Sequence, residues 1–174
     1  MMKLYHGTNV EFNQLNPAFS RDGLDFGKGV YLTPDIEQAW SMAKRKQMII
    51  GGRRIVMEFD FNDSCLTGNS TDCLYFESYN MEWTGFVLQN RNKPWCYVHK
   101  YSVVYGPVAD GIMPTVIEDY LSIYPDKETA LKPENLSSLT NKLIYKKSNL
   151  RQVCFLSTEA IVKYLKFIRF YEQK

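Results

Sequence analysis

The first residues whose types and spacing could perform chemistry are Tyr5, His6, Gly7 and Thr8. Because residues 2–7 resemble a short strand, His6 lies at a strand end beside a glycine. A glycine has no side chain that would keep a ligand away from the backbone N–H and C=O groups. A planar amide could therefore pair with this backbone while the imidazole holds a hydroxyl group. The simpler interpretation is a structural histidine before a turn.

A second segment, residues 25–33, places two glycines and a lysine before Tyr31, in the order Asp-Phe-Gly-Lys-Gly-Val-Tyr-Leu-Thr. It is not a Walker loop, because no Gly-Lys-Ser/Thr follows four spacer residues. It is not a dinucleotide-binding fingerprint either, because it does not lead from a strand directly into a helix. Alone, the segment predicts a glycine-rich turn before an edge strand, with Tyr31 on the surface of a sheet.

Together, the Tyr-His-Gly-Thr and Phe-Gly-x-Gly-x-Tyr-Leu-Thr motifs, followed by a late Gln-x-x-Phe strand that begins at Gln152, resemble the ADP-ribosyltransferase superfamily. The resemblance extends to residues 105–110 and to the segment that starts at Phe155. It is weakest over residues 62–95 and 120–148. More narrowly, the chain resembles an uncharacterised bacterial branch of that superfamily, a domain of unknown function.

The resemblance implies a site for NAD in which each matched residue has a role. His6 matches the histidine that bonds a ribose hydroxyl, and Gly7 matches the residue whose backbone pairs with the nicotinamide carboxamide. Tyr31 matches the tyrosine that stacks on the nicotinamide ring. Gln152 stands where the superfamily has its catalytic glutamate, which is a departure from the pattern. The other expected NAD contacts are Tyr5, Thr8, Arg21 and Gly29.

The chemistry of NAD cleavage explains these residue types. The bond from ribose C1′ to nicotinamide breaks with oxocarbenium character, and the leaving group departs neutral, so no strong acid is needed. A hydrogen bond to the ribose that strengthens as positive charge develops would lower the barrier. A glutamine accepts that bond with a dipole only and stabilises a cation less than a carboxylate does. On this basis Gln152→Glu should raise NAD cleavage.

The resemblance therefore implies an NAD-dependent mono-ADP-ribosyltransferase that modifies a protein or nucleic-acid acceptor, releases nicotinamide and needs no metal. The bacterial branch implies a toxin, an effector or a phage-defence factor with a neutralising partner protein. Two alternatives remain open. One is a catalytically weak NAD-binding module that acts through protein interaction. The other is an NAD-dependent RNA 2′-phosphotransferase relative, which would favour a more basic cleft.

Other polar residues are weaker candidates for a site. Cys96 and His99 have the spacing of half a zinc site, but no second pair of ligands follows the usual spacing. Asp110, after a Gly-Pro pair, is better explained by a turn than by a ligand contact. The basic residues at 44–46 and 53–54 could bind pyrophosphate or nucleic acid, although such runs more often form a solvated surface.

The elements that must position these groups follow from the hydrophobic pattern. One helix should begin at Thr33 as its cap with Pro34 in its first turn. The irregular order of strands and helices predicts an α+β fold, and the resemblance implies two small β-sheets around an NAD cleft with flanking helices. Strands are predicted at 2–7, 29–32, 54–61, 100–105, 151–156 and 165–171. Further helices are predicted at 79–91, around 117–120 and at 159–164, with loops at 8–28 and 62–72 and a short helix and loops at 125–148.

Length and composition set the outer limits. The 174 residues predict one domain, residues 1–174, and the hydrophobic content of 45% is that of a folded protein. A net charge of +2 argues against strongly electrostatic nucleic-acid binding. The sequence shows no membrane-length apolar run and no secretory signal, which predicts a cytoplasmic protein or a delivered effector. The four scattered cysteines fit a reducing compartment.

Overall fold

The computed structural model describes residues 1–12, 14–67 and 71–173, and over these ranges it confirms a mixed α+β fold with two small sheets. The strands are β1 (Met2–Thr8), β2 (Val30–Leu32), β3 (Arg54–Phe61), β4 (Cys73–Tyr75), β5 (Val103–Pro107), β6 (Arg151–Phe155) and β7 (Leu165–Gln173). The helices are α1 (Ile36–Ile50), α2 (Ser64–Thr67), α3 (Met81–Arg91), α4 (Met113–Ile123), α5 (Lys127–Ala130), α6 (Pro133–Ile144) and α7 (Thr158–Tyr164). Within the described ranges, no helix is both long and apolar enough to cross a bilayer.

The two sheets meet where β1 lies beside β2. The first sheet has the order β1-β3-β7 and is antiparallel throughout, and the second has the order β2-β6-β5-β4, in which β4 runs parallel to β5. Tyr5 and Thr33 join them with two backbone hydrogen bonds of 2.8 and 2.9 Å. His6 therefore lies at the junction of the two sheets.

Residues of alternating orientation on β2 and β6 separate two hydrophobic clusters. Leu32 and Phe155 belong to the cluster between the sheets, whereas Cys154 belongs to the cluster that the second sheet forms with α3, α4 and α6. Tyr31 pairs with Cys154 in the antiparallel register and packs against that same helical cluster. Because side chains alternate along a strand, Gln152 shares this face with Tyr31 and Cys154.

Helix α1 begins two residues later than the sequence suggests. Asp35 is the cap, and its carboxylate accepts hydrogen bonds from the backbone N–H groups of Glu37 and Gln38 at 2.9 and 3.4 Å. The prediction that Thr33 caps the helix and that Pro34 lies in its first turn is wrong. The Thr33 backbone is held by the bridge to β1, so the chain cannot turn into the helix until after that bridge.

A glycine lets α1 lie directly on β1. A Cβ atom at Gly7 would lie 2.0 Å from the backbone oxygen of Ala39 and 2.8 Å from the backbone nitrogen of Ala43. Both alanines are buried, so the helix meets the strand with its smallest side chains. This close approach brings the next residue on the same helical face, Lys46, to the end of β1.

The remaining differences from the predicted elements are short or polar segments. The strand β4 has three residues, and α2 falls within the segment 62–72 that the sequence predicts as a loop. In place of a short helix and loops at 125–148, the chain forms α5 and the 12-residue α6. The side chains of Leu136, Leu139 and Leu143 give α6 a buried face despite its polar composition.

Candidate functional site

His6 is held at the junction of the sheets by contacts to both of its ring nitrogens. Nδ1 lies 2.8 Å from the backbone oxygen of Tyr31, and Nε2 lies 3.4 Å from Nζ of Lys46. Since a carbonyl oxygen only accepts, Nδ1 carries the proton and Nε2 accepts from the ammonium. Burial, reinforced by the Lys46 charge, lowers the pKa of His6 to about 4. The imidazole is therefore neutral at pH 7, and its Nε2 can accept a hydrogen bond from a hydroxyl group.

Gly7 presents its backbone at the edge of β1. Tyr5 uses both its N–H and its C=O in the bridge to Thr33, and in an antiparallel strand the residue two positions further presents the same groups on the same side. The carbonyl oxygen of Gly7 accepts a hydrogen bond of 2.8 Å from Nζ of Lys46. The donor and acceptor pair that a planar amide requires is thus present next to His6.

Lys46 brings a positive charge to this edge. Among the described residues, the salt bridges do not include Lys46, whose ammonium is bonded to Gly7 and His6 instead. Desolvation lowers the pKa of Lys46 because the partly buried ammonium has lost water. A cation in this situation is stabilised by any anion that binds beside it. In the sequence, Lys46 belongs to a basic run, although its position three residues after Ala43 indicates the helix face that meets β1.

Tyr31 has its hydroxyl group fixed by the preceding loop. The hydroxyl donates to the backbone oxygen of Gly27 at 2.8 Å and accepts from the N–H of Phe26 at 2.9 Å. The ring stacks on Phe26, with centroids 6.3 Å apart and planes inclined by 23°. Burial raises the pKa of Tyr31 well above its ordinary value, so the group remains a neutral phenol. The orientation of the ring is therefore set before any ligand binds.

Gln152 is buried and bonded to an aspartate. Its Nε2 donates to Oδ2 of Asp25 at 2.8 Å, and the two residues are only 8% and 5% exposed. Oδ2 of Asp25 also accepts from the N–H of Ala109 at 3.0 Å, while Oδ1 contacts Nε and Nη2 of Arg91 at 2.7 and 2.6 Å. Asp25 lies in the predicted glycine-rich segment 25–33, but no role was predicted for it from the sequence. A carboxylate immediately before a large apolar residue in a glycine-rich turn was the available signal.

The structure connects the three expected catalytic residues in two ways. His6 and Tyr31 are in direct contact through the Nδ1 hydrogen bond. Gln152 reaches Tyr31 through residues 25–27, because Asp25 binds Gln152 while its two successors bind the Tyr31 hydroxyl. These residues form a segment that closes over Tyr31 and Gln152 together.

The other residues expected to contact NAD are placed differently from one another. A Cβ atom at Gly29 would lie 2.4 Å from Sγ of Cys154, so this glycine is required for β2 to pack on β6. Thr8 is buried, and its hydroxyl donates to the backbone oxygen of Val10 at 3.1 Å. Tyr5 contributes the backbone bridge between the sheets. Arg21 is exposed, and the described contacts do not join it to the junction.

The weaker candidates are accounted for by contacts within the fold. Cys96 is exposed, whereas His99 packs against Phe86 and has Nε2 3.1 Å from the backbone oxygen of Phe26. In the described part of the chain, no group of three or more His, Cys, Asp or Glu residues could hold a metal ion. Asp110 is exposed, and its backbone oxygen accepts from the first residue of α4, as expected of a turn.

The basic pair at 53–54 is engaged with neighbouring side chains. Arg53 forms ion pairs of 3.1 Å with Glu11 and Glu172. Nε of Arg54 donates to Oε1 of Gln47 at 2.6 Å. These contacts reduce the charge that the pair offers to a polyanion, and the pair does not extend the site at the junction.

Two open surface depressions, of about 340 and 380 Å³, lie elsewhere on the molecule. Neither is lined by His6, Tyr31 or Gln152. The residues at the junction are covered by Lys46 on one side and by the segment 25–27 on the other. A ligand of nucleotide size would therefore displace one of these covers on binding. The first depression is lined by Thr158, Glu159, Val162 and Lys163, and the second by Asn16, Pro17, Ala18, Lys28, Leu156, Ser157 and Thr158.

Residues 2–167 match a family described as protein of unknown function (DUF3990). This chain belongs to that family. The match includes β1, the segment 25–33 and β6, and so takes in every residue of the site described above. No curated protein and no solved structure matches the chain. Family membership assigns no activity, and the relationship to ADP-ribosyltransferases stays a prediction.

Proposed function

We propose that the chain binds NAD at the junction of its two sheets and transfers ADP-ribose to a macromolecular acceptor. The observation that supports this most is the hydrogen bond from Nδ1 of His6 to the backbone of Tyr31, beside the edge at Gly7. This contact unites three residues that the resemblance assigns to NAD in one hydrogen-bonded unit.

In this proposal each group of the ligand has a partner. The nicotinamide carboxamide pairs with the N–H and C=O of Gly7, and the nicotinamide ring stacks on the face of Tyr31 opposite Phe26. The neutral Nε2 of His6 accepts a hydrogen bond from a ribose hydroxyl. Lys46 leaves the Gly7 carbonyl and supplies a countercharge to the pyrophosphate of NAD, as its lack of a carboxylate partner in the described ranges favours.

The proposed reaction needs no acid. The electron pair of the C1′–N bond leaves with nicotinamide, which departs neutral, and positive charge develops on the ribose. Oε1 of Gln152 accepts a hydrogen bond from a ribose hydroxyl and stabilises that charge through the amide dipole. A nucleophile of the acceptor then bonds to C1′ and releases its proton to solvent.

One observation favours the alternative of a weak enzyme that acts mainly by binding NAD. Gln152 is almost fully buried, and its amide nitrogen is already bonded to Asp25. In that case NAD would bind with little release of nicotinamide. Measuring binding and release separately therefore distinguishes the two functions.

The test has two measurements on the purified chain. Thermal unfolding with millimolar NAD should show a shift, because a ligand at a hundred times its dissociation constant stabilises the folded state by about 2.7 kcal/mol. The nicotinamide released should then increase with time. ADP-ribose, which lacks the nicotinamide group, is added in place of NAD as the control for binding. Labelled NAD added to lysate identifies the acceptor as protein, DNA or RNA. If NAD produces no thermal shift and no nicotinamide is released, the proposal is excluded, and the toxin role and the neutralising partner are excluded with it.

A further inference from the structure

We infer that Asp25 is a positioning residue that holds the Gln152 amide for the reaction, and that it makes glutamine, not glutamate, the residue this site requires. The inference rests on the proposed function. The carboxylate of Asp25 is only 5% exposed, and it binds Gln152 from within the segment 25–27 that also holds the Tyr31 hydroxyl.

The position of the Asp25 carboxylate is fixed from three directions. Arg91 at the end of α3 contacts Oδ1 through two nitrogens, the N–H of Ala109 after β5 binds Oδ2, and Gln152 of β6 binds Oδ2 as well. The side chain of Arg91 is itself largely buried. A carboxylate with this many charge-assisted and neutral donors has one strongly preferred orientation.

That orientation determines which end of the Gln152 amide faces where. A carboxylate only accepts, so the amide nitrogen must point to Asp25 and Oε1 must point away from it. Oε1 is then the amide atom that remains free to accept a hydrogen bond from a hydroxyl group of the ligand. An amide whose N–H donates to a carboxylate is polarised, which makes its oxygen a stronger acceptor. Asp25 thus acts on the ribose through Gln152 without touching it.

The same contact argues against the glutamate that the superfamily uses. In Gln152→Glu, a carboxylate oxygen would replace Nε2, which lies 2.8 Å from the carboxylate oxygen of Asp25. Two like charges at this distance repel strongly in a buried site. The variant is therefore expected to lower nicotinamide release, in contrast to the expectation from the sequence alone. Adding Asp25→Asn to it would restore one donor facing one acceptor.

The experiment is a double-variant cycle. Nicotinamide release at saturating NAD, and NAD affinity from the thermal shift, are measured for wild type, Asp25→Asn, Gln152→Glu and the double variant. Each single variant should release nicotinamide about tenfold more slowly at little change in affinity, as loss of an interaction with the transition state predicts. The double variant should release nicotinamide faster than either single variant. It should remain less stable than wild type, because the N–H of Ala109 shares the oxygen that becomes an amide nitrogen.

A matched control tests whether any buried carboxylate has the same effect. Glu58 is 3% exposed and is bonded by Lys3, Arg169 and Tyr171, away from Gln152. Glu58→Gln should destabilise the fold and leave the rate of nicotinamide release by the folded fraction unchanged. If Asp25→Asn does not fold, Arg91→Lys provides the second variant, because it keeps a cation beside Asp25 and removes part of its hold. Arg91→Lys should lower the rate of nicotinamide release by less than tenfold and leave the affinity for NAD unchanged.

The outcomes separate the two claims. If wild type releases nicotinamide and the rate losses of the two single variants simply add in the double variant, the role of Asp25 is overturned. The proposed function then still stands. Release by Asp25→Asn at the wild-type rate, or by Arg91→Lys at that rate where Asp25→Asn is unfolded, would overturn that role as well. An absence of both release and thermal shift in the wild type would overturn the proposed function and the positioning role together.

Discussion

The side-chain amide of Gln152 and the carboxylate of Asp25 meet across 127 residues of chain, with Nε2 2.8 Å from Oδ2. The contact fastens the segment 25–27 to β6, while the hydroxyl of Tyr31 fastens the same segment to β2. Any substitution of Gln152 therefore affects both the proposed chemistry and the cover over the site. These two effects can be separated by measuring rates and stability on the same variants.

Gln152→Ala should lower nicotinamide release more than it weakens NAD binding, since the amide oxygen acts as charge develops on the ribose. The variant should also lose about 1–3 kcal/mol of stability, because a buried carboxylate oxygen loses a donor. Saturation kinetics and urea unfolding measure the two effects. If release and affinity were both as in wild type, Gln152 would be an ordinary strand residue.

Tyr31→Phe and Tyr31→Ala distinguish the hydroxyl from the ring. Tyr31→Phe leaves the N–H of Phe26 and the oxygen of Gly27 without their partner, so stability should fall by about 1–3 kcal/mol while the ring still stacks on NAD. Tyr31→Ala should in addition weaken NAD binding by about 1 kcal/mol or more. Tyr75→Phe, at a half-exposed tyrosine on β4, is the control. Equal NAD binding by the Phe and Ala variants would remove the ring from the site.

The stability of the protein should depend on His6 in mildly acidic solution. The pKa of His6 is lowered to about 4 in the folded chain from 6.5, so the unfolded state binds the extra proton between these values. Stability from this group is complete above about pH 6.5 and is lost as the pH falls towards 4, by up to about 3 kcal/mol. His6→Asn, whose amide nitrogen can take the place of Nδ1, should lack this component in urea unfolding. Parallel pH profiles for the two proteins would contradict the lowered pKa.

Lys46→Met should act mainly on the NAD-bound protein. Without NAD, the stability of the variant should change little, because removal of a desolvated ammonium offsets the loss of its hydrogen bond to the Gly7 oxygen. With NAD, the thermal shift should largely disappear, because the pyrophosphate loses its countercharge. Lys44→Met, at an exposed residue of the same helix, is the control. A thermal shift undiminished in Lys46→Met would show that the ammonium does not meet the ligand.

The sequence indicated the candidate residues that lie in local motifs. His6, Gly7 and Tyr31 lie in short segments whose residue types indicate a role, and the structure brings them together at one junction. The α+β class followed from the irregular order of elements. Short elements were not predicted from the sequence. The three-residue strand β4, for example, is stabilised by pairing with β5 and shows no periodic pattern of its own.

The sequence could not predict the partners of these residues. Lys46 looked like one member of a basic run until the packing of Ala39 on Gly7 placed it beside His6. The meeting of Asp25 with Gln152 depends on how the loop before β2 lies on β6, which is a tertiary relationship. The effect of Gln152→Glu expected from the sequence did not take this neighbouring carboxylate into account, because Asp25 is distant from Gln152 in the chain.

The pairing of β2 with β6 also sets when the site comes into existence during synthesis. Tyr31 lies opposite Cys154, so the second sheet cannot close around the early strand until most of the polypeptide has emerged from the ribosome. Contacts of such long range form late and slowly in folding. A chain interrupted before β6 would contain His6, Gly7 and Tyr31 and still lack the surface that orders them. If the protein consumes NAD, a chain that is interrupted before β6 should release no nicotinamide, and only molecules that contain β6 should be active.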